Sequence, residues 1–230
     1  MTATPRRRQA SRPSLSRERV LEGAVRVADE RGVASVSMRK VAEELGVEAM
    51  SLYHHVANKD EILDGIVDRV FAEIELPRDE TDWKAAMRRR ASSARAALLR
   101  HTWALGLMDS RRTPGPATLT HHDWMIGRLR GAGFSLAGTA QAVSTLDGYV
   151  YGFVLQESNL PFRTPEELKD VAAAMVDAFP AEGYPHLTEM IQAHALSPGY
   201  AYADEFLPGL DLILDGLETL RDAPDEPRRP

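Results

Sequence analysis

Cysteine is missing from all 230 positions of the chain, which removes disulfides, thiolate nucleophiles and cysteine-bound zinc from its chemistry and fits a reducing compartment. No apolar run approaches the roughly 18 residues of a membrane span, and the arginine-rich beginning is not followed by the apolar stretch of a signal peptide. A cytoplasmic protein without a membrane partner is expected. Strictly alternating segments, internal repeats and sustained heptads are also lacking, so strands, solenoids and coiled coils are not expected. The catalytic fingerprints HExxH, GxSxG and GxGxxG and the phosphate-binding loop do not occur.

What is present is 43% hydrophobic residues, enough for one large or two small cores, and an uneven charge. The overall −6 conceals two regions. Residues 1–60 hold nine Arg and two Lys against eight acidic side chains, a net +3, whereas the remainder carries −9. Six arginines (Arg6, Arg7, Arg8, Arg12, Arg17 and Arg19) crowd the first nineteen positions. They suit a polyanionic partner; a solvated, disordered tail has the same composition.

Punctuation and periodicity then divide the chain. A disordered basic tail is expected over 1–15, followed by a three-helix unit over 16–62, a larger helical unit over 63–222 and a second tail over 223–230. Ser16 is placed to cap a helix with apolar positions at Val20, Leu21, Ala24, Val27 and Ala28, and Gly32 ends it. Ser37 starts a second helix, with Val41, Ala42 and Leu45 facing inward. Gly46 supplies a tight turn, and a third short helix follows at about 48–55. Asn58 with Glu61 forms a capping-box start for a long helix over 59–76, closed by Pro77. Further helical patterns fall at about 82–105, 117–131, 136–157, 165–178, 185–195 and 204–221. The fold class is all-α.

Two short helices joined by a glycine turn, with a small residue at their crossing, have the spacing of a helix-turn-helix. Val47 and Leu52 anchor the second of them, and its other face, from Glu48 to His54, projects outward as a major-groove reader would. The segments "AVRVADERGVASVSMRKVAEELGV" and "LYHHVANKDEIL" resemble the DNA-binding domain of the TetR (tetracycline-repressor) family of bacterial transcription regulators. One departure is Val56, where the family usually has phenylalanine. The resemblance implies a double-stranded DNA operator as partner. Ser37, Tyr53, His54, His55 and Lys59 would contact phosphates, while Arg39, Ala49, Met50 and Ser51 would select bases. For each residue singly, an idle surface position is the alternative.

Residues 82–221 resemble, more loosely, the C-terminal domain of the tetracycline-repressor branch, where two helices from each subunit build a four-helix dimer interface. Ala140, Ser144, Gly148 and Gly152 form a small-residue ridge open to a close neighbour, and Leu210, Ile213, Leu214 and Leu217 form an apolar stripe. A homodimer is expected, with an intramolecular core as the other reading of both helices. Two reading heads about 34 Å apart, or a multiple, would suit a palindrome. The remaining helices would enclose a small-molecule effector. Trp83, Met87, Trp103, Leu107, Met108, Trp124 and Met125 are its candidate apolar contacts, and His101, His121, Tyr149 and Gln156 its polar ones, with His122 and Tyr151 as further possibilities. Plain core is the competing reading for the apolar members. Aligned on the family, Met108 replaces a metal-binding histidine, and Arg90 and Ala94 replace a ligand-contacting asparagine and phenylalanine. Neither a metal or other cofactor nor tetracycline is therefore expected.

Two other classes compete. "THHDW" at 120–124 with His101 faintly resembles metal-dependent phosphohydrolases, but adjacent helical histidines diverge by about 100°, poor geometry for one metal. An all-helical adaptor that docks on protein is the second rival. The exposed Tyr53, His54, His55 and Lys59 cluster and the basic tail favour DNA instead.

Overall fold

The computed structural model describes residues 14–178 and 183–221. The tail expected over 1–15 lies outside these apart from its last two residues, and the tail expected over 223–230 lies outside them entirely. Among the described residues all regular structure is helical. The chain divides into two compact units between Ile66 and Val67, inside the fourth helix and four residues beyond the boundary read from the sequence.

In the first unit, helix α1 (Arg17–Arg31) begins where the Ser16 side chain accepts the Arg19 N–H at 3.3 Å, and it ends at Gly32. Helix α2 (Met38–Leu45) is capped in the same way by Ser37, which accepts the Lys40 N–H at 3.2 Å. Gly46 then takes φ 65° and ψ 40°, and the Val47 N–H reaches back to the Ala42 carbonyl at 3.0 Å. A side chain at Gly46 would strain this left-handed turn. Helix α3 is shorter than the expected 48–55 and covers Ala49–Leu52. Its end has a local cause: the Leu52 carbonyl accepts from both His55 and Val56, at 2.8 and 3.0 Å, and closes a turn. Helix α4 (Lys59–Ala72) opens with the expected cap. Asn58 Oδ1 accepts the Glu61 N–H at 2.9 Å, and the Glu61 carboxylate accepts the Ala57 N–H at 2.7 Å. Val20, Ala24, Val27, Val41, Ala42, Leu52, Val56, Ile62 and Ile66 make the core. Val56 is buried there, so the departure from phenylalanine keeps an apolar anchor.

In the second unit, α4 ends at Ala72 and not at 76. Tighter i→i+3 bonds from Glu73 and Ile74 take over, ahead of Pro77, which disfavours helical backbone at Leu76. Helix α5 (Trp83–Arg100) stops short of the expected 105. His101 leaves the helical region at φ −126°, its ring lies 3.2 Å from the Glu73 carboxylate, and Thr102–Ala104 form a 3-10 turn. Helices α6 (Pro116–Gly131), α7 (Leu136–Ser158) and α8 (Pro165–Ala178) follow. The expected helix over 185–195 is split into α9 (Pro185–Glu189) and a π-helical turn, Met190–Ala195. Helix α10 (Phe206–Leu217) replaces the expected 204–221 and ends in a 3-10 turn. α5, α6, α7 and α10 enclose the larger core, which includes Phe71, Met87, Leu98, Met125, Leu146, Val150, Leu210 and Leu214.

Candidate nucleic-acid interface and buried polar cluster

The first unit presents its candidate reading residues on one polar face. Met50 is 72% exposed, unusually so for a large apolar side chain, and Tyr53, next to the end of α3, is also exposed. Ala49 and Ser51 are half-buried beside them, His54 and Lys59 are exposed, and His55 is half-buried. The backbone follows from the local chemistry: Leu52 and Val56 are fixed in the core, so the intervening Tyr53 and His54 must point away from it.

Glu43, which the sequence reading passed over, holds the two cations of α2. Its carboxylate meets Arg39 Nε at 2.9 Å and Lys40 Nζ at 2.8 Å. Those two bonds, Lys40 first, keep the Glu43 carboxyl below its usual range. Arg39 is engaged through Nε, but its side chain is 80% exposed, which leaves a guanidinium edge for another acceptor. Ser37 is engaged as well, as a cap, but a hydroxyl accepting one bond can still donate to a phosphate.

In the second unit, Trp83, Met87, Met108, Trp124 and Met125 belong to one core cluster, and Trp103, Leu107 and Tyr149 pack against it. Trp83 packs edge-on against Phe134 at 5.0 Å, and Met87, Met108 and Met125 are buried in the core. Trp124 is buried, with the Arg128 guanidinium 5.9 Å from its ring. Trp103 and Leu107 are half-buried, and the Trp103 ring sits 6.0 Å from His101. Tyr149 donates to the Phe206 carbonyl at 2.8 Å, which ties α7 to the start of α10. Gln156 is exposed and accepts the Tyr202 hydroxyl at 2.6 Å.

His121 belongs to a different group. Arg90, 1% exposed, donates through Nε to His121 Nε2 at 2.9 Å. Its Nη2 lies 2.6 Å from Asp147 Oδ1, close enough for an ion pair but out of hydrogen-bond alignment. Since arginine Nε can only donate, His121 Nε2 must accept, and the imidazole is neutral with its proton on Nδ1. Burial, then Arg90 and His122, push the His121 pKa down to about 2. Tyr151 stands beside this set, its hydroxyl pushed up by burial and then by Asp147. Nothing local marks Arg90–Asp147 in the sequence: Arg90 is the last of three consecutive arginines, and only the fold turns it inward while Arg88 and Arg89 pair at the surface.

The ring of Phe71, near the C-terminal end of α4, packs on His121 and His122 at 5.0 and 5.4 Å between centroids. Asp68, one turn earlier, caps α6 from outside: its Oδ1 accepts the Thr118 N–H at 2.8 Å and the Thr118 hydroxyl at 2.9 Å. A Cβ on Gly115 would come within 2.3 Å of that carboxylate, so the α6 start must be bare backbone.

The dimerisation residues separate into two groups. On α7, Ala140, Ser144 and Gly148 are exposed and Gly152 half-exposed. On α10, the expected stripe is turned inward: Leu210, Leu214 and Leu217 are buried in the chain's own core and Ile213 packs against it. The intramolecular core, the other reading of this helix, accounts for these side chains. Burial of that stripe sets the rotation of α10 and leaves Leu212, 76% exposed, on its outer side; Lys84 of α5 meets Asp215 and Glu218 at 2.9 and 3.1 Å at the surface.

No helix of the described residues is long and apolar enough to cross a membrane. Nor do those residues contain a group of three or more His, Asp or Glu placed to hold a metal ion.

Comparison with known proteins gives the family. Residues 20–66 match the model for bacterial regulatory proteins of the tetR family, and residues 76–221 match that for the tetracyclin repressor-like C-terminal domain. The HTH-type transcriptional repressor DrrR1 of Streptomyces coeruleorubidus is 34% identical over 217 residues, covering 91% of this chain and 79% of that protein. The class D tetracycline repressor protein of Escherichia coli is 29% identical over 211 residues, 89% of this chain and 90% of that one. Among solved structures, the TetR family protein ActR of Streptomyces coelicolor, in complex with actinorhodin, superposes with a TM-score of 0.74 at 26% identity, over 90% of this chain and 97% of its own. The two family matches cover the helix-turn-helix unit and nearly all of the larger unit, and the chain belongs to the TetR family of ligand-responsive transcriptional repressors, regulators rather than enzymes as a rule.

Proposed function

We propose that this protein is a cytoplasmic homodimer that represses transcription from a palindromic operator and releases it when a small, largely apolar effector binds the larger unit. The observation that carries the DNA reading is the outward face of α2 and α3. A core anchored at Leu52 and Val56 leaves Met50, Tyr53 and His54 facing solvent, and exposed Arg39 and Lys59 lie on the same unit. Arg39, Ala49, Met50 and Ser51 read bases. Ser37, Tyr53, His54, His55 and Lys59 hold the backbone. Selection of bound duplexes from a random pool should return an inverted repeat; recovery of asymmetric sites alone would sink the palindrome reading.

The dimer is proposed to form on the exposed small-residue ridge of α7, with Leu212 rather than the Leu210 stripe contributed by α10. In sedimentation, Leu212→Glu combined with Gly148→Arg is expected to convert the dimer to monomer without lowering helix content. A dimer of unchanged affinity would refute this face.

The coupling is proposed to run through α6. A ligand near His121 displaces a ring packed on Phe71, and Asp68 transmits the shift of the α6 start to α4, which carries Lys59 at its other end. An effector that favours the non-binding state by about 3 kcal/mol weakens operator binding roughly a hundredfold. Asp68→Ala should reduce that factor to less than about tenfold while changing ligand affinity little, and Asp68→Asn, which keeps an acceptor, should retain most of it. Full release by the alanine variant would rule out this connection. ActR has been solved in complex with actinorhodin, which supports a small-molecule effector.

A further inference from the structure

The buried cluster in the second unit also constrains the chemistry of the effector, an inference that rests on the ligand-responsive reading above. Arg90 carries five N–H groups. Nε is used on His121 and Nη2 faces Asp147, but Nη1 has no hydrogen-bond partner. His121 Nδ1 and the Tyr151 hydroxyl have none either. Because His121 Nε2 accepts from Arg90, its Nδ1 bears the proton and is one more unused donor. Arg90 and His121 are each 1% exposed, so bulk water does not satisfy them. Buried donors of this kind are ordinarily paired, and several together mark a place where an acceptor belongs.

Charge narrows the acceptor. The Arg90 cation is already faced by Asp147, and His121 is neutral. The Asp109 carboxyl, on the loop before α6, is pushed up by burial and then by Asp147, so a further anion would enter a region that already disfavours negative charge. An ammonium group would meet donors. A neutral oxygen satisfies both conditions, and the Phe71 ring at 5.0 Å from His121 supplies an apolar flank. We propose that Arg90, His121 and Tyr151 form the polar end of the effector site and bind the carbonyl oxygen of a neutral, otherwise apolar ligand, with the Arg90 guanidinium and the Tyr151 hydroxyl as donors and His121 holding Arg90 in place.

The full chain can be tested with matched probes on two flat skeletons: 9-fluorenone, fluorene and fluorene-9-carboxylate, and xanthone, xanthene and xanthene-9-carboxylate. Calorimetric titration should show a ketone of at least one skeleton binding about tenfold or more tightly than its hydrocarbon and its carboxylate, the ratio that one good hydrogen bond supplies. The bound ketone's carbonyl stretch should move to lower wavenumber. His121→Phe should remove the preference for the ketone. Tyr151→Phe, which deletes one hydroxyl and keeps the ring, should lower ketone affinity about fivefold and leave hydrocarbon affinity unchanged. The proposal is overturned if a carboxylate binds best, if ketone and hydrocarbon bind alike, if no probe binds and water alone fills the cluster, or if Tyr151→Phe changes nothing. Operator release separates the two readings. A ketone that binds at this cluster but leaves DNA bound refutes the effector role and not the site, whereas hydrocarbon or carboxylate that binds best and releases DNA refutes the carbonyl site alone.

Discussion

Arg90→Met is expected to lower stability by about 3–5 kcal/mol in urea denaturation, because it leaves the Asp147 carboxylate in the interior without its cation. Asp147→Leu should cost a similar amount by stranding Arg90. The double replacement should cost much less than the sum, since two apolar side chains of like volume remove both desolvation penalties. Additive losses would mean that the pair does not interact. The same cluster predicts a pH dependence. The unfolded His121 has its ordinary pKa near 6.5, whereas the folded value is about 2, so below pH 6.5 the unfolded chain takes up a proton that the folded chain refuses. Its contribution is complete above pH 6.5 and falls by about 1.4 kcal/mol per unit below it, about 2 kcal/mol by pH 5. Glu73 acts at lower pH: its carboxyl is held below the usual 4.5, with Arg100 and His101 overcoming the cost of burial, so its contribution is lost only as pH falls past that value. His121→Phe should therefore flatten the stability profile between pH 7 and 5. An unchanged slope would place the titrating group elsewhere.

Replacing Tyr53 and Lys59 together, by phenylalanine and glutamine, is expected to weaken binding to every duplex about tenfold or more and to reduce the salt dependence by about one phosphate contact. Met50→Ala should act differently, because apolar contact with a single methyl is worth only about 0.8 kcal/mol, less than the bidentate pairs that discriminate bases by about 1–3 kcal/mol. The loss should be small, fall on particular operator positions and leave non-specific binding intact. Uniform losses in both variants would abolish the division between backbone and base contacts.

Much of the reading unit was legible because its determinants are local. Ser16, Ser37 and Asn58 cap helices within three residues of themselves, Gly46 turns the chain by its own backbone freedom, and the apolar spacing from Val20 to Ile66 follows helical periodicity. Helix ends were less legible where a distant partner intervened, as at His101, whose ring turns to Glu73. The sequence by itself determined the all-helical class, the helix-turn-helix and the outward placement of Met50, Tyr53 and Lys59. Only the tertiary structure decided which way α10 is rotated and which polar side chains meet inside the larger unit. An apolar stripe is equally suited to a subunit interface or a private core, and the choice depends on distant apolar partners, as where Leu210 and Leu214 join a core with Met87 and Leu146. Arg90, His121 and Asp147 lie on three different helices, and no periodicity along one helix encodes which faces the folded chain turns toward each other.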